Sequence, residues 1–432
     1  MRLMKTNNSS GNKSSGKGNI ILGKLVTKNI NKIARSTKFI KRKRGKISPK
    51  TLIIGFMKMV SKQRNTYTDW ATEIGFLENK TISKQAIHER MNEATQELIT
   101  KVVEEFISKE STKLNTKRVR GVLKYFKNVK IDDSTTIHLP EELVEEFPGN
   151  VSRGERKAQA KVHAMYNLTN NEFDFLNVHS FSNNDQSLSG AVLPYLKKGD
   201  LCLRDLGFLV FDVVEQFIKN GIYFISRKKY QSKLYDVESG KELDLLKSIR
   251  KRGVLDRLVL LGKEHQLPVR LIVIPLPVEV VNARIRKAKK DRDKRLNHSK
   301  EYYQLLGYGI YITNVTQEQC AAIDIYEIYK LRWNIEIIFK SWKTCFSMEK
   351  LIHKGCKNSI RVKCMIYLML LYIFLFQTIW LRYCEQELCL NKERQISILK
   401  MAHFYRKYFS DLITQTNNEK ILMQLRKHCL YD

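Results

Sequence analysis

The sequence predicts a mixed α/β fold in which a sheet is flanked by helices. Three observations carry that prediction. Short β-prone runs cluster between residues 128 and 227, a second β-prone group follows at 257–274, and helical periodicity dominates both ends of the chain.

Taken in order, residues 1–48 read as a basic flexible arm. It is rich in Lys, Arg, Asn, Ser and Gly, its most basic point is the run at 38–46, and no acidic residue precedes Asp69. Residues 49–117 read as a helical DNA-binding domain. Within it, TYTDWATEIGFL and NKTISKQAIHERMN suggest helix, turn, helix, with Thr81 or Ser83 as the cap and Lys84, Gln85, His88, Glu89 and Arg90 accessible. Any small helical bundle gives a similar pattern.

From 118 to 229 the period changes to that of strands. The runs 128–134, 161–168, 173–181, 201–205 and 222–227 are β-prone, the first three able to form an antiparallel meander, with helical stretches at 188–196 and 208–220. Residues 230–306 add a β-rich piece (257–261 and 269–274) and a basic helix at 283–295. A strand at 308–314 leads into one long helix from 324 to about 344, within a segment 307–350, and 351–432 reads as a C-terminal helical region.

Composition bounds the partner. With 43% hydrophobic and 28% charged residues among 432, the chain is globular rather than disordered. Lys and Arg number 77 against 44 acidic residues, a net charge of +33, which calls for a polyanion such as nucleic acid. The eight cysteines form no CxxC pair and no zinc-type cluster, so they read as reduced cytosolic thiols, several of them buried. The N-terminus lacks an apolar signal core, and secretion is not expected. Residues 364–381 are long and apolar enough to cross a membrane, but Gln377 and the basic, polar surroundings favour a buried core helix.

The chemistry concentrates in three places. On a helix advancing about 100° per residue, Tyr329, Arg332, Glu336 and Lys343 fall within an arc of roughly 60°, with Lys340 beside them. Ile328, Leu331, Ile335, Ile338, Phe339 and Trp342 line the other side. A carboxylate among cations suits a place where metal and phosphate meet, although an intrahelical Arg332–Glu336 ion pair gives the same pattern. Asp133 follows a β-prone run and Asp205 ends another, with Gly207 close behind. Acids at strand ends are where α/β sheets place ligands, and a single one is more often a turn or cap residue. Two such acids plus a helix-borne Glu match what two-metal phosphodiester cleavage requires, which is carboxylates holding two ions about 4 Å apart.

The spacing Y-x2-R-x3-E-x6-K formed by Tyr329, Arg332, Glu336 and Lys343 resembles the signature of bacterial insertion-sequence DDE transposases, in particular the insertion sequence 4 family. IDDSTTIHLPEEL (131–143) resembles the first catalytic block of that family, and LRDLGF resembles the second. The similarity runs from about residue 129 to 343. It implies an RNase H-like catalytic core with a β-rich insertion, Asp133, Asp205 and Glu336 as catalytic and metal-holding acids, and two Mg²⁺ or Mn²⁺ ions. It also implies double-stranded DNA substrates (terminal inverted repeats and target DNA), a homodimer in the synaptic complex, and phosphate contacts by Tyr329, Arg332 and Lys343. Lys340 and Arg284 are the further DNA-contact candidates. Some relatives hold a flipped base with a Trp in the insertion, whereas no Trp occurs here between Trp70 and Trp333.

The expected protein is therefore a cytoplasmic, nucleoid-associated bacterial DNA transposase of the cut-and-paste type, with no membrane partner. The alternatives are a catalytically inactive or domesticated DNA-binding protein, an RNase H-like nuclease without strand transfer, and a membrane-associated basic protein anchored by 364–381. If the N-terminal arm and the basic stretch 284–290 lie on DNA, duplex affinity falls steeply as salt rises, because each phosphate contact releases counterions. Binding isotherms at several salt concentrations test this, and a flat response removes both segments from the interface.

Overall fold

The computed structural model describes residues 29–41, 45–110, 121–152, 154–170, 172–252, 254–290, 299–352, 356, 358–390, 396–414 and 418–430. Most of the basic arm (1–28 and 42–44) and the end of the basic helix (291–298) lie outside the described residues. The chain divides into two compact units. One comprises Ile107–Leu139 and Val144–Phe339, and the other Met1–Phe106, Pro140–Leu143 and Lys340–Asp432.

The first unit is built on a ten-stranded mixed sheet. Its strands are β1 (Val129–His138), β2 (Pro148–Ser152), β3 (Glu155–Asn167), β4 (Glu172–Ser180), β5 (Leu201–Arg204), β6 (Tyr223–Arg227), β7 (Leu234–Tyr235), β8 (Leu255–Leu261), β9 (Leu267–Pro275) and β10 (Tyr308–Thr313). β4, β3 and β1 form the expected antiparallel meander. β5 then pairs parallel with β1, and β6 parallel with β5. Their burial pattern explains the pairing: β5 is buried at all four positions, as a strand covered on both faces should be.

The β-prone runs of 230–306 do not make a separate sheet. β10 pairs antiparallel with both β6 and β9, so β9, β8 and β7 extend the same sheet. Helix Phe211–Lys219 turns Val213, Val214 and Phe217 inward, and they join a core with Phe224, Val259 and Leu271.

Two expectations need correction. Asp133 is not at a strand end, since β1 continues five residues further to His138. Nor is 324–344 one helix. It divides into Ala322–Lys330 and Trp333–Thr344. At the join, the Leu331 and Arg332 amides donate to the carbonyls of Ile328 and Tyr329 (3.0 and 3.1 Å), three residues back instead of four. Asn334 donates its amide to the Leu331 carbonyl from the backbone (3.0 Å) and from its side chain (2.7 Å). This tightened turn re-phases the side chains that follow it. Tyr329 and Arg332, expected on an open face, are 6% and 7% exposed.

In the second unit, Ser83 rather than Thr81 caps helix Lys84–Arg90, accepting from the Ala86 amide at 3.2 Å. Lys84, Gln85 and Glu89 are exposed. Arg90 is turned inward, donating to the Phe39 carbonyl at 2.9 Å and stacking on the Phe39 ring. Helix Ser359–Leu390 carries a stretch, Ser359–Ile379, that is long and apolar enough to cross a membrane, and every residue from Cys364 to Ile379 is buried within the protein. Its ring Phe374 packs on Phe106 and Trp342, and Tyr372 packs on Tyr405 and Phe409. Among the described cysteines none is paired, and Cys202, Cys320, Cys345, Cys364 and Cys429 are buried.

β1 anchors the site through apolar burial, and Ile131, two residues before Asp133, is fully buried. Truncation in a packed interior loses transfer energy and leaves a cavity. Ile131→Ala is therefore expected to lower stability by roughly 2–5 kcal/mol, read as a lower denaturant midpoint with unchanged slope.

Candidate active site

Successive residues of a strand point to opposite faces of a sheet. Asp132 and Asp133 in β1 therefore part company. Asp133 faces the helices Ala322–Lys330 and Trp333–Thr344, while Asp132 faces the other side.

On the Asp133 side two acids from distant parts of the sequence share one cation, and a third, Asp205, lies near enough to be felt electrostatically. Arg332 Nη1 donates to Asp133 Oδ2 at 2.8 Å, and its Nη2 donates to Glu336 Oε1 at 2.6 Å. Asp205, immediately after β5, opens the 3₁₀ turn Leu206–Phe208. It is close enough to raise the proton affinities of Asp133, Tyr329 and Arg332. The Tyr329 hydroxyl donates to the Arg204 carbonyl at 3.3 Å, which holds the peptide leading into Asp205. Arg332 also stands over the rings of Tyr329 and Trp333. The intrahelical Arg332–Glu336 pair is present, and Arg332 spans from it to Asp133.

The electrostatics follow from burial. Asp133 has a side chain only 14% exposed, and burial pushes its carboxyl up to about 7. Arg332 opposes that shift, while Asp205 and Asp132 reinforce it. For Arg332 burial works against the charge, but Tyr329, Asp133, Asp205 and Glu336 together outweigh it and hold the guanidinium firmly protonated. Burial, then Asp205, raises the Tyr329 phenol, which stays neutral and able to donate.

The remaining candidates are more scattered. Lys340 is exposed and Lys343 half-buried, both further along the helix that carries Glu336. Arg284, on helix Val278–Lys289, donates to the Tyr308 carbonyl at 3.0 Å. Burial, then the neighbouring Arg227, weakens its hold on its proton. It stands with Arg227 and Tyr311 rather than against the three acids.

On the opposite face lies a cluster that sequence reasoning missed. Asp132, fully buried, accepts from Arg204 Nε and Nη2 at 2.9 and 2.6 Å and from His163 Nε2 at 2.6 Å. Burial disfavours the Asp132 charge, but Arg204 and His163 outweigh it and hold the carboxyl below its ordinary range. The adjacent acids Asp132-Asp133 were the available signal, and the pairing with His163 and Arg204 was beyond one-dimensional reading.

Among the described residues, no three acidic, imidazole or thiol groups already stand as a formed metal centre. The donor set fits a hard divalent cation nonetheless. It is all carboxylate oxygen, and the buried, partly neutralised Asp133 needs an adjacent positive charge, which the Arg332 guanidinium provides here.

Asp133, bridged to Glu336 by Arg332 and with Asp205 close by, combines carboxylates and a cation of the types that phosphoryl chemistry uses. A family model described as a transposase DDE domain matches residues 124–375, more than half of the chain, and the chain belongs to that family: it is a DDE transposase. It is 26% identical over 419 residues to the transposase for insertion sequence element IS231F of Bacillus thuringiensis subsp. israelensis, covering 92% of this chain and 86% of that protein. It is 28% identical over 406 residues to the transposase for insertion sequence element IS1151 of Clostridium perfringens, covering 89% and 84%. Among solved structures, a piggyBac transposase synaptic complex with hairpin DNA is similar at 9% identity and a TM-score of 0.44 over 95% of this chain and 84% of that one, a likeness too loose to bear on the fold.

The pH dependence of Asp133 is testable without substrate. Its folded-state affinity for a proton exceeds the unfolded one, so the stability it contributes is present below its ordinary value of 3.8 and lost as pH rises toward about 7. In the presence of chelator, Asp133→Asn is expected to gain stability relative to the parent between pH 5 and pH 7, by at most about 1.4 kcal/mol per pH unit. Urea unfolding of both proteins across that interval measures it. A relative gain by the parent means that the ionised Asp133–Arg332 pair dominates instead.

Proposed function

We propose that this transposase works by cut-and-paste on an RNase H-like core, with Asp133, Asp205 and Glu336 as the acids that hold two divalent ions, Mg²⁺ or Mn²⁺. The observation that carries the reading is the shared guanidinium. Arg332 reaches Asp133 with one nitrogen and Glu336 with the other, across 199 and 4 residues of sequence respectively. The order β4-β3-β1-β5-β6, antiparallel to β1 on one side and parallel on the other, supports the core assignment.

Bound ions supply an activated water and charge stabilisation at the leaving oxygen. The chain's own groups do the rest. Asp133 and Asp205 are presented by adjacent strands, and Glu336 by the first turn of its helix. Arg332, released from its carboxylates, neutralises a backbone phosphate of the DNA end. Tyr329 keeps the Asp205 peptide in place through the Arg204 carbonyl. Lys343 and Lys340, and separately Arg284, are the further candidates for phosphate contact. No side-chain nucleophile is needed, because the freed 3′-hydroxyl itself attacks the target phosphodiester.

The substrates are the terminal inverted repeats and a target duplex, brought together by a homodimer in the bacterial cytoplasm. Asp133→Ala, Asp205→Ala and Glu336→Ala are each expected to abolish Mg²⁺-dependent cleavage of the element ends while duplex binding stays near that of the parent. Gel assays of cleavage, strand transfer and mobility shift read all three. Cleavage retained in every variant refutes the assignment, and cleavage without strand-transfer products makes the protein a nuclease.

A further inference from the structure

β1 and β5 run parallel in register over four pairs, and Asp132 opposite Arg204 is the last of them. Beyond that pair the chain leaves β5 for the 3₁₀ turn that Asp205 opens. No further ladder pair joins the two strands at the level of Asp133 and Asp205. The ladder fixes the height of the two strands up to the residue before each acid, and side chains at that last pair can hold the step beyond it.

A closed polar cluster sits at that level on the reverse face. Arg204 grips Asp132 Oδ2 with two nitrogens, at 2.9 and 2.6 Å, and donates from Nη2 to the Ser189 carbonyl at 2.5 Å. His163, on β3, closes the third side at 2.6 Å. Asp132 and His163 are fully buried and Arg204 is 3% exposed. The rings of Phe175 and Phe208 pack on His163, and its Nδ1 is buried with no hydrogen-bond partner among the described residues.

Stability alone is a poor reason for such a cluster. Buried ion groups replaced together by well-packed apolar side chains generally leave a protein as stable or more so, and an orphaned ring nitrogen is a further penalty. What apolar contact cannot supply is direction. Short, two-toothed guanidinium–carboxylate bonds fix the distance and angle between two strands, whereas an apolar contact tolerates sliding.

We propose that Asp132, Arg204 and His163 form a positioning clamp that sets the spacing of Asp133 and Asp205 and thereby the affinity of the site for divalent ions. Asp132 and Arg204 each directly precede one of the two acids, so a shift of either clamp residue moves the next residue on the opposite face. The clamp rests on the reading of Asp133 and Asp205 as ion-holding groups.

The test uses the full chain without DNA, measuring Mn²⁺ binding by the loss of the free-ion electron paramagnetic resonance signal. Thermal unfolding and duplex affinity serve as controls. The triple variant Asp132→Leu, Arg204→Met, His163→Leu is expected to unfold near the parent temperature and bind duplex normally, yet to bind Mn²⁺ about 10- to 100-fold more weakly, the range found when groups supporting metal ligands are lost. Raised Mn²⁺ is expected to restore its cleavage of element ends in part. If the triple variant does not fold, Arg204→Lys is read in the same way, since it keeps the charge but not the two-toothed grip. Mn²⁺ affinity equal to the parent's in either folded variant overturns the clamp. Asp133→Ala is the reference. Unaltered Mn²⁺ binding there sinks the ion-holding reading itself, whereas loss there with none in the clamp variants sinks the clamp alone.

Discussion

Three carboxyl groups held in a half-buried place repel one another, and the arrangement depends on the one guanidinium set among them. Two unit charges about 4 Å apart interact by roughly 4 kcal/mol at an effective dielectric constant near 20. Uncompensated repulsion on that scale is comparable with a large part of a domain's net stability. Arg332 offsets it by bonding Asp133 and Glu336 at once, and Asp133 lowers it further by favouring its neutral form. A site of this kind is under electrostatic tension until a second source of positive charge arrives.

The backbone makes the bridge possible. The sequence suggests an exposed arc for Arg332 on a helix continuous through 331. At the three-residue turns of Leu331 and Arg332, Arg332 lies in the interior, where 7% of it is exposed, while Tyr329, in the helix before the turns, reaches the Arg204 carbonyl. The intrahelical Arg332–Glu336 pair is thereby also a link between helix and sheet, since the same guanidinium bonds Asp133.

The sheet separates its tasks by face. One face carries the acids of the proposed reaction, and the other carries the closed Asp132–His163–Arg204 cluster. Because a strand alternates its side chains, neighbouring residues in β1 serve opposite faces. Tension on one face is therefore anchored by rigid, short hydrogen bonds on the other. The strands at 255–275 extend the same sheet through β10, so the platform beneath the acids is wide and continuous.

Much of this was legible in one dimension. Periodicity gave the meander and the alternation of strands with helices, and the apolar run 364–381 pointed to a buried core helix. The net charge pointed to a polyanion, and the Tyr329–Arg332–Glu336–Lys343 spacing with the DDST block pointed to the family later matched over residues 124–375. These are properties of composition and local spacing, and a sequence determines them directly. Tertiary structure alone decided the rest. It placed Asp133 inside a strand instead of at its end, broke the helix at Leu331–Arg332, turned Tyr329 and Arg332 inward, and joined Asp132 to Arg204 and His163. Those outcomes depend on which strands pair and at what register, and contacts between residues 31, 72 or 199 positions apart leave no trace in local patterning.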